Sequence, residues 1–454
     1  MLDFLQSALA FILALGLLVT VHEFGHFWVA RRLGVRILRF SIGFGKPIYC
    51  RHFGKDRTEF VVAAIPLGGY VKMLDEREGE VSEAELGRAF NRQPLASRFA
   101  VVLAGPGFNF LFAILAYWLM FMVGVSGMRP IVGEVQPGSI AARAGLQEGQ
   151  EIIRVDDRET PTWETVVQAI LQDILDRGQV RLTLMQGNDQ IQNLELDLGG
   201  LKLDDVGQGQ FFERIGIGRY NPAIPPIIGE LVAGGAALRD GLQPGDRILS
   251  ANGTAIGDWG AWVAFVQGHP GQALDVELER EGRRLHLQLT PERLETDNGI
   301  IGRIGAMVAD PEQLRRLFTL ERYGPVRSFS KALTRTWDMS ALTLKVLGKM
   351  LTGQASVKNL SGPISIAQYA GQSAHIGLAA FLAFLGIVSV SLGVLNLLPV
   401  PVLDGGHLMY YLIELIVRRP LSESVQMMAQ QVGLVALLSL MFVAVYNDIM
   451  RIIQ

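Results

Sequence analysis

Two histidines four positions apart, with a glutamate directly after the first, form the sequence HEFGH at residues 22–26. On a helix, side chains four positions apart lie on the same face, so the imidazoles of His22 and His26 can reach one metal ion. Glu23 would flank that ion and could act as general base on a water bound to it. The pattern therefore predicts metal-assisted hydrolysis, although helical histidine pairs at this spacing also occur without any function.

The HEFGH sequence lies within the first of several apolar segments, residues 4–30. Ionisable side chains are costly inside a membrane, and those found there usually have a function. An accidental pair of histidines is therefore a weaker explanation here than in a soluble helix. A catalytic zinc site takes three protein ligands and keeps a further position for water, so one more ligand is needed.

The usual third ligands of soluble zinc proteases are missing. An HExxHxxGxxH motif would need glycine and histidine where the chain has Val29 and Arg32, and the first glutamate downstream is Glu59, in a strand-like segment. The best remaining candidate is Asp404, in the otherwise apolar sequence GVLNLLPVPVLDGGH. An N-cap of the next helix is the alternative role for Asp404, and His407 is the competing third ligand.

The chain is rich in apolar residues, which are concentrated in blocks. Its 454 residues are 49% hydrophobic with a mean hydropathy of +0.29 and a net charge of −3, which gives no reason to expect nucleic-acid binding. Cys50 is the single cysteine, so a disulfide framework and a cysteine-based zinc cluster are excluded. Crossing a bilayer takes about 20 apolar residues. Residues 4–30, 99–125 and 376–400 meet that length, and residues 432–446 form a shorter fourth segment.

Lysines and arginines indicate the orientation of these spans. None precedes the end of the first span, whereas several follow it and two more follow the third. Because basic residues accumulate on the cytoplasmic side, both termini and the long segment between the second and third spans are expected to face outward. The residues concerned are Arg31, Arg32, Arg36, Arg39, Lys46, Arg51, Arg418 and Arg419.

The segment between the first two spans alternates apolar and polar residues and is punctuated by glycines, a pattern typical of strands and turns. Its sequences FSIGFG and FVVAAIPLGGYVKM are too apolar for a cytosolic loop. We predict a β-hairpin that dips into the membrane, where non-helical backbone is tolerated only against protein or a water-filled cavity. Gly43, Phe44 and Gly45 in FSIGFG are candidate substrate contacts.

An internal repeat occupies the outward segment. PIVGEVQPGSIAARAGLQEGQEIIRV begins at Pro130 and PIIGELVAGGAALRDGLQPGDRILSA begins at Pro226, a constant shift of 96 residues. Both copies resemble circularly permuted PDZ domains. In the first copy, Gln150 and Asp157 replace the aspartate and the later glycine of the signature, which weakens the case for peptide binding by that copy.

Each copy is expected to end with a strand, near residues 214–218 in the first and 303–308 in the second. PDZ domains can capture an extended peptide by adding it to a sheet edge. A role as spacer or steric screen is an equal alternative for these two.

HEFGH in the first span, LDGG after the third and two outward PDZ-type repeats together resemble the site-2 protease family of intramembrane zinc metalloproteases. The resemblance covers essentially the whole chain. It implies one catalytic zinc ion on His22, His26 and Asp404, with Glu23 as the general base.

Candidate substrate contacts form a second part of the resemblance. NLLPVPVLDGG resembles the family's Asn–Pro–Pro–Asp stretch, which gives Asn396, Pro399 and Pro401. Completing a broken helix end is an equal alternative role for Asn396. GPGFN resembles the family's GxxxN element and adds Asn109, for which helix packing beside Gly105 is the favoured interpretation.

The family implies regulated intramembrane proteolysis in a bacterial inner membrane. The substrates would be single-span proteins of the anti-sigma-factor type, cut a second time after an outer-face cleavage, and remnant signal peptides. The PDZ-type domains would bind peptide C-termini or exclude uncut substrates by size. A membrane-anchored PDZ scaffold and a transporter are the competing functions, and divalent metals other than zinc also suit two histidines and an aspartate.

The predicted fold is therefore a polytopic helical membrane protein with about four spans, a membrane-associated β-hairpin and two tandem α+β PDZ domains on the outer face. Two lysines interrupt TLKVLGKMLTG at residues 343–353, which fits an amphipathic helix on the membrane surface better than a span. The expected segments are a first span with HEFGH (1–30), a cytoplasmic or membrane-dipping β segment (31–98), a second span (99–126), the PDZ domains (127–221 and 222–309), an amphipathic helical region (310–375), a third span (376–400), the LDGG motif with a cytoplasmic loop (401–427) and a fourth span (428–450).

Overall fold

The computed structural model describes the chain except for residues 1, 175–177, 188–189, 200–210, 221–223, 297–298, 310–311, 313–314, 354–355, 357–361, 420 and 454. The described residues form two units, Met1–Val125 with Glu321–Gln454 and, separately, Ser126–Leu320. The helices, in chain order, are α1 (Leu2–Arg32), α2 (Leu95–Val123), α3 (Ile140–Ala144), α4 (Trp163–Ile174), α5 (Phe211–Ile215), α6 (Ala236–Arg239), α7 (Trp259–Gln267), α8 (Pro325–Leu351), α9 (Pro363–Ile376), α10 (Leu378–Leu397), α11 (Asp404–Val417) and α12 (Glu423–Ile453). The strands are β1 (Ile37–Phe53), β2 (Thr58–Met73), β3 (Val125–Met128), β4 (Val132–Val135), β5 (Glu151–Val155), β6 (Arg158–Glu159), β7 (Gln179–Gln186), β8 (Gln190–Asp197), β9 (Ile217–Arg219), β10 (Ile228–Leu231), β11 (Arg247–Ala251), β12 (Thr254–Ala255), β13 (Leu274–Arg280), β14 (Arg283–Leu289), β15 (Glu292–Thr296), β16 (Gly299–Arg303), β17 (Ala306–Val308) and β18 (Phe318–Glu321).

Among the described residues, four helices of the first unit are long and apolar enough to cross a membrane, as the sequence predicted. The third of them is shorter than expected because α9 ends at Ile376 and Gly377, with φ of 134°, separates it from α10. The amphipathic stretch expected at 343–353 forms the last part of α8, a helix that begins well before it. The four spanning segments are Gln6–Arg32, Leu95–Val123, Leu378–Leu397 and Glu423–Arg451.

Helix α2 forms the centre of the first unit. Its residues Ala113 and Tyr117 are buried together with Val390 of α10. Helix α1 packs closely on the other part of α2, because a Cβ on Gly25 would lie 2.4 Å from the carbonyl oxygen of Ala104. Such close approach of backbones is typical of small residues at membrane helix interfaces, and it holds HEFGH tightly against α2.

Helix α12 is joined to the rest of the unit near its C-terminal end. The carboxylate of Asp448 accepts hydrogen bonds from the backbone N–H groups of Gly362 (3.0 Å) and Ile364 (2.9 Å) and from Oγ–H of Ser365 (2.6 Å). These donors belong to the start of α9, whose first N–H groups have no partner within their own helix. Asp448 therefore caps α9 from a neighbouring helix.

Strands β1 and β2 pair antiparallel with an irregular register, so the predicted hairpin is present. Residues 59–62 of β2 lie between residues 39–42 and 49–52 of β1. Residues 69–73 of β2 pair with residues 37–42 of β1 and form an outer row of the sheet. This outer row is the part of the hairpin that reaches the site described below.

The second unit contains the two sequence repeats as two similar sets of elements. The first has a sheet in the order β6-β5-β7-β8 and a separate pair β4–β9, and the second has the order β12-β11-β13-β14 and a pair β10–β17. Each repeat buries its own apolar core, around Ile152 and Leu184 in the first and Ile248 and Leu278 in the second. The expected closing strands are β9 and β17. The assignment of the repeats as PDZ domains stays a prediction.

Candidate metal centre

His22 and His26 lie one helical turn apart on α1, with ring centroids 4.9 Å apart. Their side chains are 14% and 10% exposed. Nδ1 of His26 lies 2.8 Å from the carbonyl oxygen of Val101 on α2. Because a carbonyl only accepts hydrogen bonds, Nδ1 must carry the proton, which leaves the Nε2 lone pair of His26 free for a metal.

Asp404 is the first residue of α11, directly after the sharp turn that follows α10. Two glycines make that turn possible. A Cβ on Gly405 would lie 2.1 Å from the carbonyl oxygen of Leu398, and one on Gly406 would lie 2.5 Å from that of Val400. The glycines of LDGG therefore let the chain fold back on itself so that Asp404 faces α1.

The structure brings His22, His26 and Asp404 together. Nε2 of His22 lies 3.2 Å from Nε2 of His26, and Oδ2 of Asp404 lies 3.2 Å from the first and 3.4 Å from the second. Donor atoms around a tetrahedral zinc with bonds of about 2.0–2.1 Å stand roughly 3.3–3.4 Å apart, so these three atoms fit one zinc ion. Oδ2 of Asp404 is buried and has no hydrogen-bond partner among the described residues, as expected of an atom that binds a metal.

A cavity of about 720 Å³ opens beside these donor atoms. Glu23, His26 and Asp404 line it together with Val71 and Met73 from the outer row of the hairpin sheet. The carboxylate of Glu23 thus shares one space with two of the three candidate metal ligands. The cavity also gives water a place beside them.

The outer row of the sheet also contacts the Glu23 side chain directly. A Cβ on Gly69 would lie 3.3 Å from Cγ of Glu23 and 2.7 Å from the carbonyl oxygen of Ser41. Only glycine fits between the sheet and α1 at this point. The hairpin is therefore packed against the predicted general base.

One wall of the cavity carries charged side chains, which the sequence did not predict. Arg98, at the start of α2, donates to the carboxylate of Glu414 on α11 at 2.7 Å, and its guanidinium lies 5.0 Å from the ring centroid of Tyr411. The one signal in the sequence was the position of both charges beside apolar helices, where ionisable groups are costly.

Asp75 lines the same cavity just after β2 and remains ionised. Burial raises the pKa of its carboxyl, but the hydrogen bonds from Arg77 outweigh burial and hold the pKa below its usual range. The guanidinium of Arg77 lies 2.6 Å from Oδ2 of Asp75. The cavity therefore carries fixed charge of both signs.

The residues of the LDGG stretch that were expected to contact substrate lie outside the cavity. Asn396 is half-buried near the end of α10, Pro399 is exposed, and Pro401 is half-buried in the turn. The described residues that line the cavity include none of the three. Their role as substrate contacts stays a prediction.

The FSIGFG residues lie in strand β1. Gly43 and Gly45 in β1 have φ of 90° and 89°, and the exposed ring of Phe44 stacks on Tyr70 with centroids 6.1 Å apart. The described residues around the cavity do not include Gly43, Phe44 or Gly45. Asn109, by contrast, is fully buried on α2, and its Nδ2 lies 3.0 Å from Nδ1 of His22.

Comparison with known proteins relates the whole chain to one family. The model of peptidase family M50 matches residues 10–440. The chain is 44% identical over 455 residues to the regulator of sigma-E protease RseP of Salmonella typhimurium, and 43% identical over 455 residues to that of Escherichia coli K12, covering 100% of both chains in each case. A Vibrio cholerae relative whose name describes a zinc metalloprotease is 44% identical over 456 residues, again covering 100% of each chain.

These matches extend over nearly every element described above, including α1, the turn before α11 and both repeats. The relatives align from end to end, and two of them are named as regulators of sigma-E protease. The chain accordingly belongs to peptidase family M50, the site-2 protease family, and is an intramembrane metalloprotease.

Proposed function

We propose that this chain cleaves single-span membrane proteins within the bilayer, with one zinc ion held by His22, His26 and Asp404 and with Glu23 as general base. The observation that carries the proposal is the convergence of three donor atoms at mutual distances of 3.2–3.4 Å. They converge beside Glu23, which lies on a helix long and apolar enough to span a membrane. A hydrolytic site in that location suits a substrate that is itself in the membrane.

The chemistry requires a proton to be taken from water and returned to the leaving group. Zinc bound at these ligands would supply the Lewis acidity that activates water near neutral pH. Glu23 accepts one proton from the water as the water oxygen bonds to the peptide carbonyl carbon. Glu23 then gives that proton to the amide nitrogen as the carbon–nitrogen bond breaks. Glu23 ends the cycle ionised, as it began.

A transmembrane substrate must unwind before it can be cut, because its peptide groups are bonded within its own helix. The outer row of the hairpin sheet, residues 69–73, offers replacement partners by strand addition. Val71 and Met73 of this row line the cavity with Glu23, which supports the idea. Asn396, Pro399, Pro401, Gly43, Phe44, Gly45 and Asn109 remain the further candidates for substrate contact.

The chain fits a bacterial inner membrane protein by its four apolar helices and its relatives. We expect both termini and residues 126–320 to face the periplasm, because the basic residues cluster after the first and third spans. The donor atoms on α1 then lie within the membrane nearer the cytoplasmic side.

The biological substrate class follows from the names of the relatives. Proteins named as regulators of sigma-E protease suggest substrates of the anti-sigma-factor type. We expect this cut to follow an outer-face cleavage, and the two repeats to act as a size filter or to capture new peptide C-termini. Remnant signal peptides are a second expected substrate.

The test is cleavage of a single-span substrate by the purified full-length protein in detergent. Glu23→Gln removes the proton acceptor and keeps the side-chain shape, so we expect zinc to remain bound while the rate falls at least about 10³-fold, within the range ascribed to general base catalysis. Glu83→Gln is the matched control, since Glu83 is exposed in the short helix Glu83–Arg88. It should cleave at the wild-type rate.

Equal cleavage by wild type and Glu23→Gln would overturn Glu23 as general base and indicate a contaminating protease. Wild-type protein that retains no zinc after careful preparation would overturn the zinc-dependent proposal. Product formed outside the spanning segment of the substrate, identified by mass spectrometry, would overturn cleavage within the bilayer.

A further inference from the structure

The two imidazoles of the metal centre have different hydrogen-bond partners on α2. His26 is held by the carbonyl oxygen of Val101, which can only accept. His22 is held by the side-chain amide of Asn109, whose Nδ2 lies 3.0 Å from Nδ1 of the imidazole. An amide can donate or accept, so the way Asn109 is turned decides which tautomer of His22 it can hold.

The tautomer required of His22 follows from the donor atoms already described. Its Nε2 points at Oδ2 of Asp404 and at Nε2 of His26. For that lone pair to bind a metal, the proton must sit on Nδ1, and Nδ1–H then needs an acceptor. Asn109 is the group at that position.

Asn109 is buried, and its own acceptor oxygen is unused by the described residues. The residue is 0% exposed, and its Oδ1 has no hydrogen-bond partner among the described residues. Turning the amide by 180° about its terminal bond exchanges Oδ1 and Nδ2 and brings the unused acceptor to Nδ1 of His22. The exchange requires no movement of either helix.

The same face of α2 also makes room for both rings. Val101, Gly105 and Asn109 follow one another at intervals of four, so they lie along one side of the helix. A Cβ on Gly105 would lie 2.2 Å from Nε2 of His26 and 2.8 Å from Cε1 of His22. Along this side the helix presents a carbonyl acceptor to His26, an open space to both rings, and the side-chain amide of Asn109 to His22.

We propose that Asn109 is a positioning residue of the metal centre: in the metal-loaded protein its Oδ1 accepts the Nδ1–H of His22 and thereby fixes the tautomer that binds zinc. This inference rests on the proposed zinc-dependent function and gives Asn109 a role different from substrate contact. Partners of this kind orient the ligand and increase its basicity, and their loss lowers metal affinity by about 10- to 100-fold.

The test measures zinc affinity of the full-length protein by competition with a chromophoric chelator, together with the absorption spectrum of the cobalt-substituted protein. Asn109→Leu keeps the approximate volume and removes the acceptor, so zinc should bind about 10- to 100-fold more weakly. Asn109→Asp keeps an acceptor and should bind zinc at least as tightly as wild type, with a tetrahedral cobalt spectrum. Comparing Asn109→Asp with Asn109→Leu separates the loss of the hydrogen bond from a change in packing.

Ser389→Ala is the matched control. Oγ–H of Ser389 on α10 donates to the backbone carbonyl of Asn109 at 2.7 Å, so the change perturbs the same helical turn and leaves the amide–imidazole contact intact. Zinc affinity of this variant should stay within about twofold of wild type, well below the effect of losing a ligand partner.

Four outcomes would overturn the proposal. Asn109→Leu binding zinc as tightly as wild type, with a raised KM alone, would make Asn109 a substrate contact. Asn109→Asp losing zinc affinity would exclude the acceptor role, and this variant decides the matter even where Asn109→Leu fails to fold. Wild-type protein that binds no zinc would overturn both this inference and the proposed function, whereas equal binding by all variants would overturn this inference alone.

Discussion

The two repeats of the second unit build the same turn with different polar groups. In the first repeat the backbone N–H of Gln147 donates to Oε1 of Gln150 at 2.9 Å. In the second the N–H of Gln243 donates to Oδ2 of Asp246 at 2.8 Å. Gln150 and Asp246 are 1% and 0% exposed. The replacement that weakens the PDZ signature in the first repeat therefore preserves the hydrogen bond on which the turn depends.

The partners of Gln150 and Asp246 also differ: they are neutral in the first repeat and charged in the second. Arg280 donates to both carboxylate oxygens of Asp246 at 2.7 Å, and this interaction raises the pKa of Arg280 above its usual value. In the first repeat Gln186 and Gln192 lie 3.4 and 3.3 Å from Nε2 of Gln150. A buried charge pair is thus replaced by a neutral amide cluster, so the fold of the repeat does not require the signature aspartate.

The segment before the closing strand differs more strongly. In the first repeat it is the helix α5, whose Phe211 is buried in the core and whose Phe212 contacts Trp163 with centroids 5.0 Å apart. In the second it is the strand β16, and a cleft of about 230 Å³ lies beside it, lined by Trp259 and Val263 among others. We therefore expect any peptide capture to occur at the second repeat.

The largest effect is expected from breaking the charge pair of the second repeat. Asp246→Ala leaves the N–H of Gln243 without its acceptor and removes the carboxylate partner of Arg280, which among the described residues keeps only the carbonyl oxygen of Gly241. Because Asp246 is fully buried and Arg280 is 24% exposed at its side chain, we expect a loss of about 2–3 kcal/mol in local unfolding free energy. Hydrogen exchange of the full-length protein in detergent measures it through amides of β11 and β13.

Gln150→Ala is the matched change in the first repeat and should cost only about 1 kcal/mol, because its partners are neutral. Equal losses in the two repeats would contradict the distinction between a charge pair and an amide cluster.

Moving the charge pair into the first repeat is expected to have a smaller effect than Asp246→Ala. Gln150→Asp alone buries a carboxylate without a cation and should destabilise that repeat by about 2 kcal/mol. Adding Gln186→Arg supplies the missing guanidinium at the strand position that corresponds to Arg280, so the double variant should recover at least about half of the loss. The same hydrogen-exchange experiment on β5 and β7 gives the coupling energy. Additive effects of the two changes would mean that the strand positions are not equivalent.

Local pattern made much of the first unit predictable from the sequence. The lengths of the apolar segments predicted the four spans, and the spacing of His22 and His26 placed both imidazoles on one helical face. The alternation of apolar and polar residues within residues 36–74, together with the glycines there, predicted the hairpin. These features depend on periodicities that the backbone imposes within a few residues.

Contacts between distant segments were harder to predict. Asp404 was singled out by its apolar surroundings, but its distance from His22 depends on how α10 and α11 pack against α1. The pairing of Arg98 with Glu414 joins residues from two helices far apart in the chain, and neither residue belongs to a recognisable motif.

Compensation within the first repeat was also hidden from the sequence. Gln150 departs from the PDZ signature, and only the register of β5 on β7 brings Gln186 within reach of it. A single sequence shows the departure but not the partner that accommodates it. Pairing across strands is set by the folded register and not by spacing along the chain.

The smallest effect concerns the cleft of the second repeat. Strand β17 pairs with β10 on one side, and the residues that connect β16 to β17 line the cleft against α7. An extended peptide could therefore add to β17 and rest its side chains against Val263. For a fluorescent hexapeptide of alternating Val and Thr, Val263→Asp should weaken binding about tenfold, or about 1.4 kcal/mol, by placing a charge in the apolar wall. Val167→Asp is the matched change 96 residues earlier, in α4 of the first repeat, and should leave the anisotropy titration of the full-length protein unchanged. A loss of binding with Val167→Asp and none with Val263→Asp would assign the peptide to the first repeat and reverse the comparison.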